Sequence, residues 1–292
     1  MKSLKTYIPG LILSIILVFS LLGCSAAFVA NSFSDPDRLI RIADENEIVT
    51  VIKNRLDSYF SGKYNETGIP ADVYTEAVGR EYIKNTMRGY VYSGFDVLNG
   101  NTADFSVPEN KELEENIETF IGDYADSIGF TKDSKYEEKV QATIRSAYRT
   151  IGEYCDVFKM ETLEREGVLA GLSPVFTRIN LIFLVSAAVS AALIALIIII
   201  SIQNLSHSLY WIGISSLVSG IIGIVPCIFL TATRYFDSFT IKEPQIYTSF
   251  TSLMYSIVNQ FMLNQIVIAV IGTLLIIRFA VVCKNKKDNA SE

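Results

Sequence analysis

The run Ile194-Ala195-Leu196-Ile197-Ile198-Ile199-Ile200 sits near the end of an apolar stretch from Ile179 to Ile202. It is too long for an ordinary core strand, and the whole stretch is close to the ~20 residues that a helix needs to cross a bilayer. Three further stretches approach that length: Tyr7 to about Ala30, Tyr210 to about Thr231 and about Gln265 to Cys283. Four of them predict an all-α, multi-pass membrane protein, with the lipid bilayer as its first partner. Between the first and second lies a polar block of about 145 residues, large enough to bury a core of its own. The expected layout is therefore 1–30 as a first span or lipoprotein-like signal, 31–175 as a polar helical domain, and 176–292 as a three-span region. In that last region the spans fall at about 179–202, 210–231 and 265–283, with a loop at 232–264 and a tail at 284–292.

Orientation is read from Lys and Arg in the short segments, because long domains translocate largely regardless of charge. Lys2 and Lys5 precede the first span and Lys284, Lys286 and Lys287 follow the fourth, against Arg234 and Lys242 in the loop between spans three and four. This bias predicts both termini in the cytoplasm, the short connection Gln203 to Leu209 inside, and the polar block outside the cell membrane. Tyr210 and Trp211 then suit the inner interface, and Tyr235, Phe236, Phe239 and Tyr247 the outer one. Arg278 interrupts the fourth stretch five residues before Cys283, near enough to the end for its guanidinium to snorkel to the headgroups.

Leu21-Leu22-Gly23-Cys24 follows a short basic start and an apolar run, a pattern similar to the lipobox of bacterial lipoprotein signals. On that reading Cys24 is a lipid-attachment site and three spans remain. The continuation Ser25-Ala26-Ala27-Phe28-Val29-Ala30 stays apolar where a lipoprotein turns to a polar tether, so the expectation is an uncleaved anchor.

From Asn31 to Pro174 the block holds 27 acids and 16 bases, a net of −11 against −6 for the whole chain. A surface of that sign argues against nucleic acid and against anionic lipid, both of which reward Lys and Arg. Helical periodicity predicts four amphipathic stripes packed as a bundle. The first starts at Ser34-Asp35-Pro36 and carries Leu39, Ile40, Val49, Ile52, Leu56, Tyr59 and Phe60. The second starts at Gly68-Ile69-Pro70-Ala71-Asp72 and carries Val73, Ala77, Val78 and Ile83. The third carries Leu113, Ile117, Phe120, Ile121, Tyr124 and Ile128. The fourth carries Val140, Ile144, Ala147, Tyr148, Ile151, Cys155 and Phe158. Asn99-Gly100 is a hairpin-type turn signal, so a small extended excursion is expected between Tyr90 and Phe105. Glu161 to Gly171 reads as linker or helix end, with a break at Ser173-Pro174. Cys155 is the block's only cysteine and lies on an apolar stripe, so it reads as a core residue in a domain without internal disulfides; Cys227 and Cys283 are span residues.

No nucleophile elbow, Walker loop, dinucleotide turn or zinc spacing occurs. The single histidine, His207, has no Cys, Asp or Glu beside it and reads as an exposed loop residue, so a triad or His-based metal site has nothing to build from. The clusters Glu112, Glu114, Glu115 and Asp123, Asp126 read as the wet faces of helices, and Asn65-Glu66-Thr67 would be a glycosylation sequon only in a eukaryotic protein. No catalytic residue, cofactor or metal is expected, and the protein is read as a non-enzyme. In the apolar stretches, Ala187, Ala191 and Ala195, and Ser216 with Gly220 and Ser219 with Gly223, recur at packing intervals and predict contact between spans two and three. No polar residue stands out as a transport path. Pro226 is placed to kink span three. Phe250, Met254, Ile257, Val258 and Phe261 predict an amphipathic helix leading into span four.

Thr67-Gly68-Ile69-Pro70-Ala71-Asp72-Val73-Tyr74, Leu172-Ser173-Pro174 and the four-span order resemble an uncharacterised group of multi-pass proteins from clostridial-type Gram-positive bacteria. The resemblance implies location and no activity. The favoured function is a non-enzymatic envelope protein whose outer helical domain binds or senses a ligand or protein. The alternative, from span order, is a subunit similar to the FtsX- and MacB-like proteins, which couple to a cytoplasmic ATPase; this chain lacks their substantial inner N-terminal helix and longer inner loop.

Overall fold

The computed structural model describes residues 2–202 and 205–288, with side chains in 7–202 and 205–285. The side chains of Lys2, Lys5, Lys286 and Lys287, which carry most of the orientation argument, and Gln203 lie outside the described residues. Among the described residues every regular element is helical: α1 (Lys2–Ser32), α2 (Pro36–Glu45), α3 (Ile48–Thr67), α4 (Asp72–Thr75), α5 (Arg80–Leu98), α6 (Lys111–Ser127), α7 (Ser134–Cys155), α8 (Met160–Arg165), α9 (Val168–Phe176), α10 (Ile179–Ile200), α11 (Ser206–Ala232) and α12 (Pro244–Asp288), with a short 3₁₀ turn at Tyr235–Ser238. Two compact units emerge. An apolar unit comprises 1–35, 178–239 and 254–292, and a polar unit comprises 36–177 and 240–253.

Four helices are long and apolar enough to cross a membrane: Tyr7–Ser32, Ile179–Ile200, Ser206–Ala232 and Pro244–Asn285. This is a membrane protein. In the apolar unit α1 packs against both α10 and α11. Leu17, Leu193, Ile197 and Trp211 form the buried centre of that contact. Two polar links cross it: Ser20 Oγ and Ser190 Oγ are 2.8 Å apart, and Ser215 Oγ donates to the Ser14 carbonyl at 3.0 Å. Hydroxyl links of this kind stand in for a hydrophobic drive that lipid does not provide between helices. The expected pairing of spans two and three is only a minor contact. Ala191 and Ala195 are exposed, and the small face of α11 turns to α12 instead. A Cβ on Gly220 would stand 2.6 Å from Ala269 Cβ, and one on Gly272 would stand 2.5 Å from the Leu217 backbone nitrogen. Pro226 lies inside α11.

The polar unit buries Ile48, Ile52 and Leu56 of α3, Ile83 and Met87 of α5, Leu113 and Ile117 of α6, and Ile144, Ile151 and Cys155 of α7 in one core. The first expected helix is two helices, divided at Glu47, whose φ of 51° turns the chain out of the helical basin. In the second, Val73 belongs to the single turn α4, and the long helix starts only at Arg80. The extended excursion is absent among the described residues. Asn99-Gly100 ends α5, with Gly100 (φ 83°) donating to Val97 O and Asn101 to Asp96 O. That pair of bonds is a Schellman ending, which uses the same left-handed glycine as a hairpin does. Glu161 to Gly171, expected as linker or helix end, holds most of α8 and the start of α9, and Pro174 lies inside α9 rather than at a break. The amphipathic lead-in and the fourth span are one helix, α12.

Candidate functional site

The polar unit carries a groove between the C-terminal half of α3, α6 and α7. It consists of two adjoining cavities of about 400 Å³ and about 550 Å³. Each is of the size of small-ligand sites. Thr67, Ile69, Lys139 and Thr143 line both.

The groove exists because two helices end beside it. Gly68, with φ 71°, closes α3 through its N–H to Tyr64 O. Gly129, with φ 66°, closes α6, where Phe130 N–H donates to Ala125 O and Gly129 N–H to Asp126 O. The chain therefore turns away at both ends and leaves the side of α7 uncovered. Asp133 then starts α7, its carboxylate accepting from the N–H groups of Lys135 and Tyr136 at 3.0 Å each. This orders Tyr136 at the rim of the smaller cavity.

Aromatic and aliphatic side chains make most of the wall. Tyr124, Ile128 and Phe130 line the smaller cavity while remaining 60%, 57% and 45% exposed. In the larger one, Phe60 stacks on Tyr74 at 4.3 Å between ring centres, nearly parallel at 11°. Burial, with a smaller push from Tyr59, raises the Tyr74 hydroxyl to about 12, so it stays protonated. The charged lining is sparse. Lys63 pairs with Glu66 at 2.6 Å, and the two hydroxyls on the shared wall are committed to backbone, Thr67 to Lys63 O at 3.0 Å and Thr143 to Lys139 O at 2.9 Å. The Lys139 ammonium, exposed beside them, has no ion pair or hydrogen bond among the described residues.

Tyr124 and Ile128 are read from periodicity as core, and the structure makes them groove wall instead. Tyr136, Lys139 and Thr143 carry no signal in the sequence, since their role depends on where α3 and α6 stop. The carboxylate clusters form no joint site. Asp126 pairs with Lys132 at 2.9 Å, Glu114 accepts from Tyr148 Oη at 2.7 Å, and Glu112 and Glu115 are exposed. No group of three or more His, Cys, Asp or Glu capable of holding a metal occurs among the described residues. Cys155 is fully buried, and burial pushes its thiol up, away from reactivity. His207 is exposed but stands in the first turn of α11, not in a loop. Cys24 is partly buried within α1, which continues unbroken to Ser32. Arg278 is exposed on α12.

A second location lies inside the apolar unit. Gln265 of α12 is completely buried, and both its amide oxygen and its amide nitrogen lack a partner. Its side chain lies against Gly223 of α11, in the space a Cβ there would occupy. Ser219 Oγ and Asn264 Nδ2 are also without partners. No sequence motif marks this polar core, because Gln, Asn and Ser leave the mean hydropathy of the helix high.

No known protein family, curated protein or solved structure matches the chain.

Proposed function

We propose that the protein is a multi-pass envelope protein that displays the polar unit outside the cell membrane as a binding or sensing domain, without enzymatic activity. The observation that carries this reading is the open, aromatic-walled groove between α3, α6 and α7. It has the volume of a ligand site, with the smaller cavity mainly apolar and the larger one mixed, and brings together no acid, base or nucleophile set. The strongly acidic polar block supports an exposed, solvated position for the rest of that surface. The orientation rests on the lysines flanking the first and last apolar helices, with both termini inside. In the same reading α1 is retained as an anchor and Cys24 is not acylated.

Site-directed labelling tests it. A cysteine placed at Ser134, the first residue of α7 near the groove, should react with a membrane-impermeant maleimide in intact cells, and one at Ser291 should react only after lysis. The reverse pattern would put the groove in the cytoplasm and end the proposal. Palmitate incorporation that disappears in Cys24→Ser would replace the retained anchor by a lipid.

A further inference from the structure

We infer that the groove takes an amphiphilic monoanion: an apolar or aromatic body lying along the two cavities, with one carboxylate or similar head held by Lys139. This deepens the binding role proposed above and rests on it.

The inference starts from the wall that the two cavities share. Of its four residues, Ile69 is apolar, and Thr67 and Thr143 direct their hydroxyl protons to backbone carbonyls. Lys139 is therefore the one residue of that wall with uncommitted donors, three of them on its ammonium. The other ammonium of the lining, Lys63, and that of Lys132 near the rim are already neutralised. Lys63 is paired with Glu66, and Lys132 with Asp126 while lying 5.9 Å from the Tyr136 ring centre. A site with one uncompensated positive charge in a domain of net −11 is complementary to a single negative charge.

The body of the ligand follows from what flanks that charge on each side. Towards α6 the wall is Phe120, Tyr124, Ile128 and Phe130, while towards α4 the stacked pair Phe60 and Tyr74, buried in the core, closes the floor of the larger cavity. Exposed aromatic faces reward an apolar or planar group, and the exposure of Tyr124, Ile128 and Phe130 leaves apolar area in water until something covers it. A small hydrophilic anion would use Lys139 alone, and a neutral hydrocarbon would leave the ammonium unpaired. An amphiphile with an anionic head satisfies both.

The full chain in phosphatidylcholine nanodiscs is titrated with 4-phenylbutyrate and with its neutral counterpart 4-phenylbutan-1-ol, with binding read by calorimetry against empty nanodiscs. The acid should bind at least tenfold more tightly than the alcohol. Lys139→Met should remove that preference, while Lys139→Arg should keep most of it. Because Lys139 is exposed, neither substitution threatens the fold. If acid and alcohol bind equally, or Lys139→Met leaves the preference intact, the anionic-head assignment is overturned while the groove remains a binding site. If neither compound binds, or if Phe120→Ala with Tyr124→Ala leaves both affinities unchanged, the groove itself is not the site and the binding role falls with it.

Discussion

Asp156 is 4% exposed, and its carboxylate accepts from the backbone N–H groups of Met160 at 2.7 Å and Glu161 at 3.1 Å. It thereby satisfies the free donors at the start of α8, whose entry residue Lys159 sits at a φ of 55°. Burial raises its pKa above the ordinary 3.8, with the two backbone bonds opposing the rise. The native state thus holds this proton more tightly than the unfolded chain does. The stability this contributes is present below 3.8 and is lost as pH rises through the raised value. In thermal denaturation followed across that window, the wild-type protein should lose stability relative to Asp156→Asn as pH increases; parallel curves would refute the burial argument. Gln265 poses the opposite problem. An unpartnered buried polar group costs roughly 1–3 kcal/mol, and this side chain has two such atoms in an apolar helix. Gln265→Leu, similar in size, should therefore denature in detergent at the same temperature or higher. A clear fall would mean that the amide is bonded to ordered water or to another group in the native protein.

Among the elements, α11 and α12 are held together by the absence of side chains. A Cβ on Gly272 would meet the backbone of Gly213 and Leu217, at 2.7 Å from a carbonyl oxygen and 2.5 Å from a nitrogen. Backbone atoms of a helix cannot step aside as a side-chain tip can. Gly272→Ala should cost about 1–3 kcal/mol, typical of forced overpacking, and appear as a lower denaturation midpoint in detergent. By contrast, a Cβ on Gly171 meets nothing within 4 Å, so Gly171→Ala serves as the control. The element ends explain where the sequence was readable and where it was not. Pro36 in the first turn of α2 and the start of α10 at Ile179 are local signals and stand where expected. Asn99-Gly100 is equally local, but its left-handed glycine serves a hairpin or a Schellman ending alike, and the helix preceding it selects the second. Asn110 shows the remaining case. Its side-chain oxygen caps α6 at the Leu113 N–H, while its amide donates to Ala77 O, 33 residues away. The cap is a contact within four residues of chain, and the tie is a long-range one that no local pattern encodes.

For the whole molecule, the division into apolar helices and a polar helical unit was legible because it depends on composition summed over ~20-residue windows. Such sums survive any uncertainty about individual contacts. The partners of the helices were not legible. Every apolar helix looks similar from its hydropathy, so the pairing of α1 with both α10 and α11, and of α11 with α12, emerges only once small residues and hydroxyls are matched in space. The groove is legible in part. Phe60, Phe120, Tyr124 and Ile128 were identifiable as apolar positions, but whether they face a core or an opening depends on where neighbouring helices stop. Read alone, the chain determined that it enters a membrane, that it is helical and that its polar block is acidic, because each is a property of local composition. The tertiary structure alone decided which aromatic residues remain uncovered, that Lys139 stands among them without a counter-charge, and that Gln265 is sealed between two helices. Those are statements about what lies beside a residue, and the neighbours come from distant parts of the sequence.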